Sequence, residues 1–145
     1  MKQGDVMGYF EYTDEMYKAS LYTVEDEPKL MATIKSIVEI AFLARKEGLL
    51  GVECDIEKMD KDFYRTISQM VVDGTDVNLQ FDYGLNLIRE MRKDPAELRN
   101  MMIWNKGMAL LSEGYHPYII NRVLESMIGK YSFEDAGWLS YDKSW

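Results

Sequence analysis

The chain carries few residues with the chemistry of a catalyst: one histidine, His116, one cysteine, Cys54, and many carboxylates. His116 sits in Tyr115-His116-Pro117. No serine or cysteine nucleophile can be placed beside it, so it reads as a loop or N-cap residue rather than a general base. Cys54 has no second cysteine and no neighbouring histidine, and reads as a small apolar filler at a helix-to-loop junction. Asp73-Gly74-Thr75-Asp76 lacks the alternating acids and terminal glutamate of a calcium loop. Its plainer meaning is a helix stop followed by the cap of the next helix. No glycine loop fits a phosphate and no spacing fits zinc, so neither catalysis nor a cofactor is expected. The cluster that stands out is "ARKEGLLGVE", residues 44–53, which sets Arg45, Lys46 and Glu47 before two glycines and then Glu53.

The elements that must position this cluster are helical. Asp26-Glu27-Pro28 is a helix start, followed by Leu30, Ile34, Ile37, Val38, Ala41 and Phe42 at helical spacing. A second helix follows Asp60, with Phe63, Ile67, Met70 and Val71 on one face and Gly74 as its stop. A third spans about Asp76 to Arg92, with Phe81, Leu85 and Ile88 as its core stripe and Leu87 and Met91 beside it. The fourth start, Asp94-Pro95-Ala96-Glu97, has a cap residue, proline at the first position and an acid three residues on. That helix uses Leu98, Met101, Met102, Met108 and Ala109 and stops at Gly114. A fifth begins near Pro117, with Ile120, Val123, Leu124, Met127 and Ile128 as its stripe and Gly129 as its stop. No run alternates convincingly as a strand. The expected fold is all-α: one single-domain bundle of about five helices over residues 28–130, with aromatic, acidic arms at 1–27 and 131–145.

Composition narrows the classes of function. The chain of 145 residues is long enough for one hydrophobic core, and 47% of it is hydrophobic and 29% charged, as in a globular protein. No apolar run approaches the roughly 18 residues of a membrane helix. The opening MKQGDVMGYFEYTDE has neither the basic start nor the apolar core of a signal peptide. A single cysteine fits a reducing compartment, so the expected location is cytoplasmic. The net charge of −8 is concentrated at the ends: residues 1–27 hold seven acids against two bases, and 28–130 fifteen against fourteen. A surface of that kind suits neither nucleic acid nor anionic membrane.

"ARKEGLLGVE", followed by "FYRTISQMVVDGTD", resembles the large cytoplasmic loop of MotA-type flagellar motor stator proteins. Those carry an Ala-Arg-Arg/Lys-Glu-Gly-Leu-Leu-Ala-Leu-Glu segment and, later, a helix ending in a Val-Val-Asp-Gly-Thr-Asp-like element. Here the two elements are residues 44–53 and 71–76, and the resemblance covers roughly residues 34–80. In that family an arginine and a glutamate of the loop meet a rotor switch protein through complementary charges. By motif position the resemblance implies that role for Arg45 and Glu53, with Lys46 and Glu47 in the same partner-binding cluster. An ordinary solvated helix end would present the same cations, which suit its C-terminal dipole.

The resemblance stops short of the whole family pattern. The family has four membrane helices and returns to the membrane after the second element, whereas this chain continues through further polar-faced helices. What it implies is a non-enzymatic helical protein that binds a protein partner, a flagellar rotor or stator component. Two alternatives stand beside that: a structural or regulatory accessory protein that self-associates as a homo-oligomer, and a small-molecule-binding helical bundle. On one ideal helix Arg45 and Glu53 would stand about 12 Å and roughly 80° apart, close enough to serve one partner surface.

Overall fold

The computed structural model describes residues 18–130; residues 1–17 of the first arm and the whole of the second, 131–145, lie outside the described residues. Six α-helices are complete within them: α1 (Glu27–Glu47), α2 (Glu53–Glu57), α3 (Phe63–Val72), α4 (Val77–Met91), α5 (Pro95–Ser112) and α6 (Pro117–Ser126). No strand occurs among the described residues. The fold is all-α, as the spacing indicates. The helix beyond the expected five is α2, a short segment of Glu53–Glu57 that the sequence leaves inside a connection.

The starts form where short acidic side chains can reach exposed backbone N–H groups. Asp62 accepts hydrogen bonds from the N–H of Tyr64 (3.0 Å) and Arg65 (3.3 Å), opening α3. Asp76 does the same for Asn78 and Leu79 at α4. Asp94 accepts from the N–H of Glu97 at 2.9 Å, ahead of Pro95. Two details differ from the local expectation. Asp26 stands at the cap position of α1, but its carboxylate turns back to the N–H (2.9 Å) and hydroxyl (3.1 Å) of Thr23, closing a short 3-10 turn instead. Glu97 does not return to the start of its own helix; it reaches across to other helices.

Helix α5 is the centre of the bundle. It buries residues on every side, including Leu98, Asn100, Met101, Ile103, Trp104, Asn105, Met108 and Leu111. Helices α1, α3, α4 and α6 all pack on it. A helix covered on all sides has no single stripe, which is why the methionine stripe seen in the sequence is only part of its buried surface.

The expected stripe of α4 holds in part. Ile88 is fully buried and Leu85 packs half-buried on the core, but Gln80 and Gly84, which carry no apolar signal, share the inner face. The reason is a polar clasp. Gln80 Nε2 donates to Asn105 Oδ1 at 2.8 Å, and Asn105 Nδ2 donates to the carbonyl of Phe81 at 3.1 Å. Gly84 makes room for it: a Cβ there would lie 2.0 Å from Asn105 Oδ1. No described helix is long and apolar enough to cross a membrane.

Candidate functional site

The charged cluster lies where α1 ends. Arg45 and Lys46 occupy its last turn, where cations offset the negative end of the helix dipole, and Arg45, Lys46 and Glu47 are all exposed. Gly48 ends the helix with φ 82° and ψ 169°, a region that in practice only glycine occupies, while its N–H still bonds to the carbonyl of Ala44 at 2.7 Å. The chain then makes a single 3-10 turn, Leu49–Val52, and enters α2 at Glu53. Gly51 closes that turn against the helix it has just left, since a Cβ there would meet the Glu47 Cβ at 2.6 Å. The two glycines are therefore not flaws in a helix. One ends the helix in a backbone conformation suited to glycine, and the other lets the following turn lie close to Glu47.

The turn sorts its apolar residues sharply. Val52 is buried and Leu49 half-buried on the core, but Leu50 is 77% exposed, beside the charged last turn. Glu53 is half-buried at the start of α2, where a carboxylate suits the helix N-terminus. The chain breaks at Gly48, as the two glycines lead one to expect, so the ideal-helix spacing does not apply and Glu53 is re-aimed from the start of α2. The two are no ion pair with each other.

Behind this turn stands the corner between α5 and α6. His116 is the N-cap of α6, its Nδ1 accepting the N–H of Tyr118 at 3.1 Å, in keeping with the capping role read from the sequence. Burial, and then the nearby charge of Arg45, hold the imidazole below its usual pKa. Arg45 thus lies near the start of α6 as well as at the end of α1. Tyr115, the residue before His116, is 52% exposed. The expectation for Cys54 is corrected: its side chain faces outward from α2 and is exposed rather than filling the core. The short helix puts Ile56 inward, next to Val52 of the preceding turn, and leaves Cys54 and Asp55 outward.

A second polar concentration joins α1, α3 and α5. The Tyr64 hydroxyl donates to Glu97 Oε1 and accepts from Asn100 Nδ2 at 2.8 Å, while Lys29 Nζ meets Glu97 Oε2 at 3.0 Å. Trp104 Nε1 donates to Ser68 Oγ at 3.0 Å below it. Burial, with help from the Glu97 carboxylate, pushes the phenol well above its ordinary pKa, so it remains a neutral donor. These groups edge an open cleft of about 500 Å³, also lined by Ser36, Met59 and Asp60. The bonds among Tyr64, Glu97, Asn100 and Lys29 at its edge suit a brace between helices. Nothing in the sequence spacing relates Tyr64 to Glu97 or Asn100, and only the packing of three helices brings them together.

Comparison with known proteins finds similarity in part of the chain. Motility protein A of Helicobacter pylori is 44% identical over 48 residues, covering 33% of this chain and 19% of the relative. Motility protein A of Borreliella burgdorferi is 39% identical over 46 residues, covering 32% of this chain and 18% of the relative. The chain thus spans less than a fifth of the length of the curated relatives it matches. No family model matches, and no solved structure matches.

Proposed function

We propose that the chain is a non-enzymatic helical module of the cytoplasm that binds a protein partner through the end of α1, and that the partner is a flagellar rotor or stator component. The contact residues are Arg45, Lys46, Glu47 and Glu53, with Leu50 as an apolar anchor among them. The observation that carries this reading is the exposure of Leu50, at 77%, beside an exposed Arg45-Lys46-Glu47 turn. A helix end that served only to stop a helix would not require a projecting leucine on a turn held by two glycines. An apolar anchor ringed by charges is the usual composition of a contact surface, where the charges choose the partner and speed its approach. Arginine suits the role because its planar fork fits a carboxylate and stays charged. The partial similarity to Motility protein A supports the class of partner.

The test is capture from a motile bacterial lysate on the immobilised full chain, with bound proteins identified by mass spectrometry. A motor component recovered by the native chain, and lost from Leu50→Asp and Arg45→Glu, supports the reading. Capture of no motor component, or equal capture by both variants, overturns it.

A further inference from the structure

At the other end of α1 the bundle presents a different surface. Lys18, Arg89, Arg92 and Lys93 line a cleft of about 500 Å³, with Glu90 as the one acid among the described lining residues and Leu98 beside them. Arg92 holds a left-handed backbone (φ 49°) that ends α4 and turns the chain toward Lys93 and Asp94. Along α4, leading to this cleft, runs a series of apolar side chains one turn apart. Leu79 is 61%, Tyr83 41% and Met91 40% exposed, with Leu87 half-buried between the last two. Basic residues beside an exposed apolar edge suit a segment that is both acidic and aromatic.

The chain contains one attached to the cleft itself. Residues 1–17 hold four acids (Asp5, Glu11, Asp14 and Glu15) against one lysine, with Tyr9, Phe10, Tyr12 and Tyr17 among them. We propose that residues 9–17 dock on this surface in the same chain, with Glu11, Asp14 and Glu15 toward Arg92 and Lys93 and the aromatic rings along Tyr83 and Met91. Three arguments select this occupant. Its charge is opposite to that of the cleft lining. It joins the bundle at Lys18, a residue of that lining, so it is held at high local concentration and weak ion pairs suffice. Its length is ample: the nine residues 9–17 reach at most about 30 Å, whereas Met91 to Leu79 along α4 is about 18 Å. The proposal concerns the opposite end of α1 from Arg45 and is independent of the reading given for that end.

Zero-length carbodiimide cross-linking of the full chain, mixed with isotope-labelled copies and mapped by mass spectrometry, tests it. The expected product joins Lys93 to Glu11, Asp14 or Glu15 within one chain. Bonds from Lys93 only to acids of 131–145, bonds between labelled and unlabelled chains, or no bond to residues 9–17 would overturn it. Chymotrypsin gives a second reading, by cleavage after Tyr9, Phe10, Tyr12 or Tyr17. Lys93→Glu should quicken that cleavage about fivefold, as loss of one or two exposed ion pairs allows. Glu11→Gln/Asp14→Gln/Glu15→Gln should do the same without altering the bundle. Adding Glu11→Lys/Asp14→Lys to Lys93→Glu should restore protection. Unchanged cleavage in both the Lys93 and the glutamine variants, or no restoration, contradicts the docking.

Discussion

The molecule uses polar residues in two opposite ways. Inside the bundle, Gln80 and Asn105 clasp α4 to α5, and at the edge of the open cleft Tyr64, Asn100 and Glu97, with the exposed Lys29, tie α3, α5 and α1 together. At the end of α1 the charges of Arg45, Lys46 and Glu47 project outward, and an apolar residue projects with them. Buried polar groups specify which helices meet, because leaving one unpaired is costly. Exposed charges contribute little to stability and are free to serve association. The contrast predicts that substitutions in the first region act on folding and those in the second act on binding.

The largest effect is expected at Gly84→Ala. Its Cβ would intrude on Asn105 and break the clasp, costing about 3 kcal/mol of overpacking and lost hydrogen bonding. Chemical denaturation should show a lower midpoint with an unchanged slope. A midpoint equal to the native one would mean that α4 and α5 can separate at no cost.

Gly48→Ala comes next. The Gly48 backbone excludes a Cβ by conformation, not by crowding, since no neighbouring atom lies within 4 Å of one there. Strain of about 2 kcal/mol is expected, visible as a lower thermal midpoint. This glycine belongs to the exposed region but supports its shape, so its variant should impair folding and partner capture together.

Tyr64→Phe should cost about 1 kcal/mol, because the edge of an open cleft lets water replace part of what the hydroxyl gave. A loss of several kcal/mol in denaturation would show that this network is as closed as the Gln80–Asn105 clasp.

A smaller, pH-dependent effect is expected at His116. Its pKa is lowered in the folded chain, so below the usual value of 6.5 the unfolded chain binds more protons. Stability conferred by the neutral cap is present above pH 6.5 and declines as pH falls through the window below it. Thermal unfolding of His116→Asn, which keeps a capping side chain but does not titrate, should vary less over that window. Equal slopes for the two proteins would remove His116 from the account.

How far the sequence revealed this arrangement depended on whether each cause was local. Asp76 and Asp94 cap helices through contacts two or three residues away, and such starts can be read from residue types alone, whereas the start expected after Asp60 falls two residues later, at the Asp62 cap. The break at Gly48 and Gly51 is legible as punctuation, but its geometry is not, since the need for Gly51 comes from the close approach of the 3-10 turn to Glu47. The apolar stripe of α4 gives only part of its inner face, because Gln80 and Gly84 carry no apolar signal; their burial follows from Asn105, on another helix. Cys54 was misplaced because the short α2 was not foreseen, and with it the side of the chain that faces solvent. The motif residues Arg45 to Glu47 were found by resemblance, whereas Leu50 stands out only once its exposure is known.

The most direct test of the division between the two regions is Arg45→Glu, with thermal unfolding and partner capture measured on the same preparation. Arg45 is exposed, so its reversal should move stability by less than about 0.5 kcal/mol. Capture of a motor component from lysate should nevertheless fall, most clearly at low salt, where surface charge is least screened. Native capture accompanied by a loss of several kcal/mol would contradict the account, because Arg45 would then be a paired structural charge holding α1 to the start of α6.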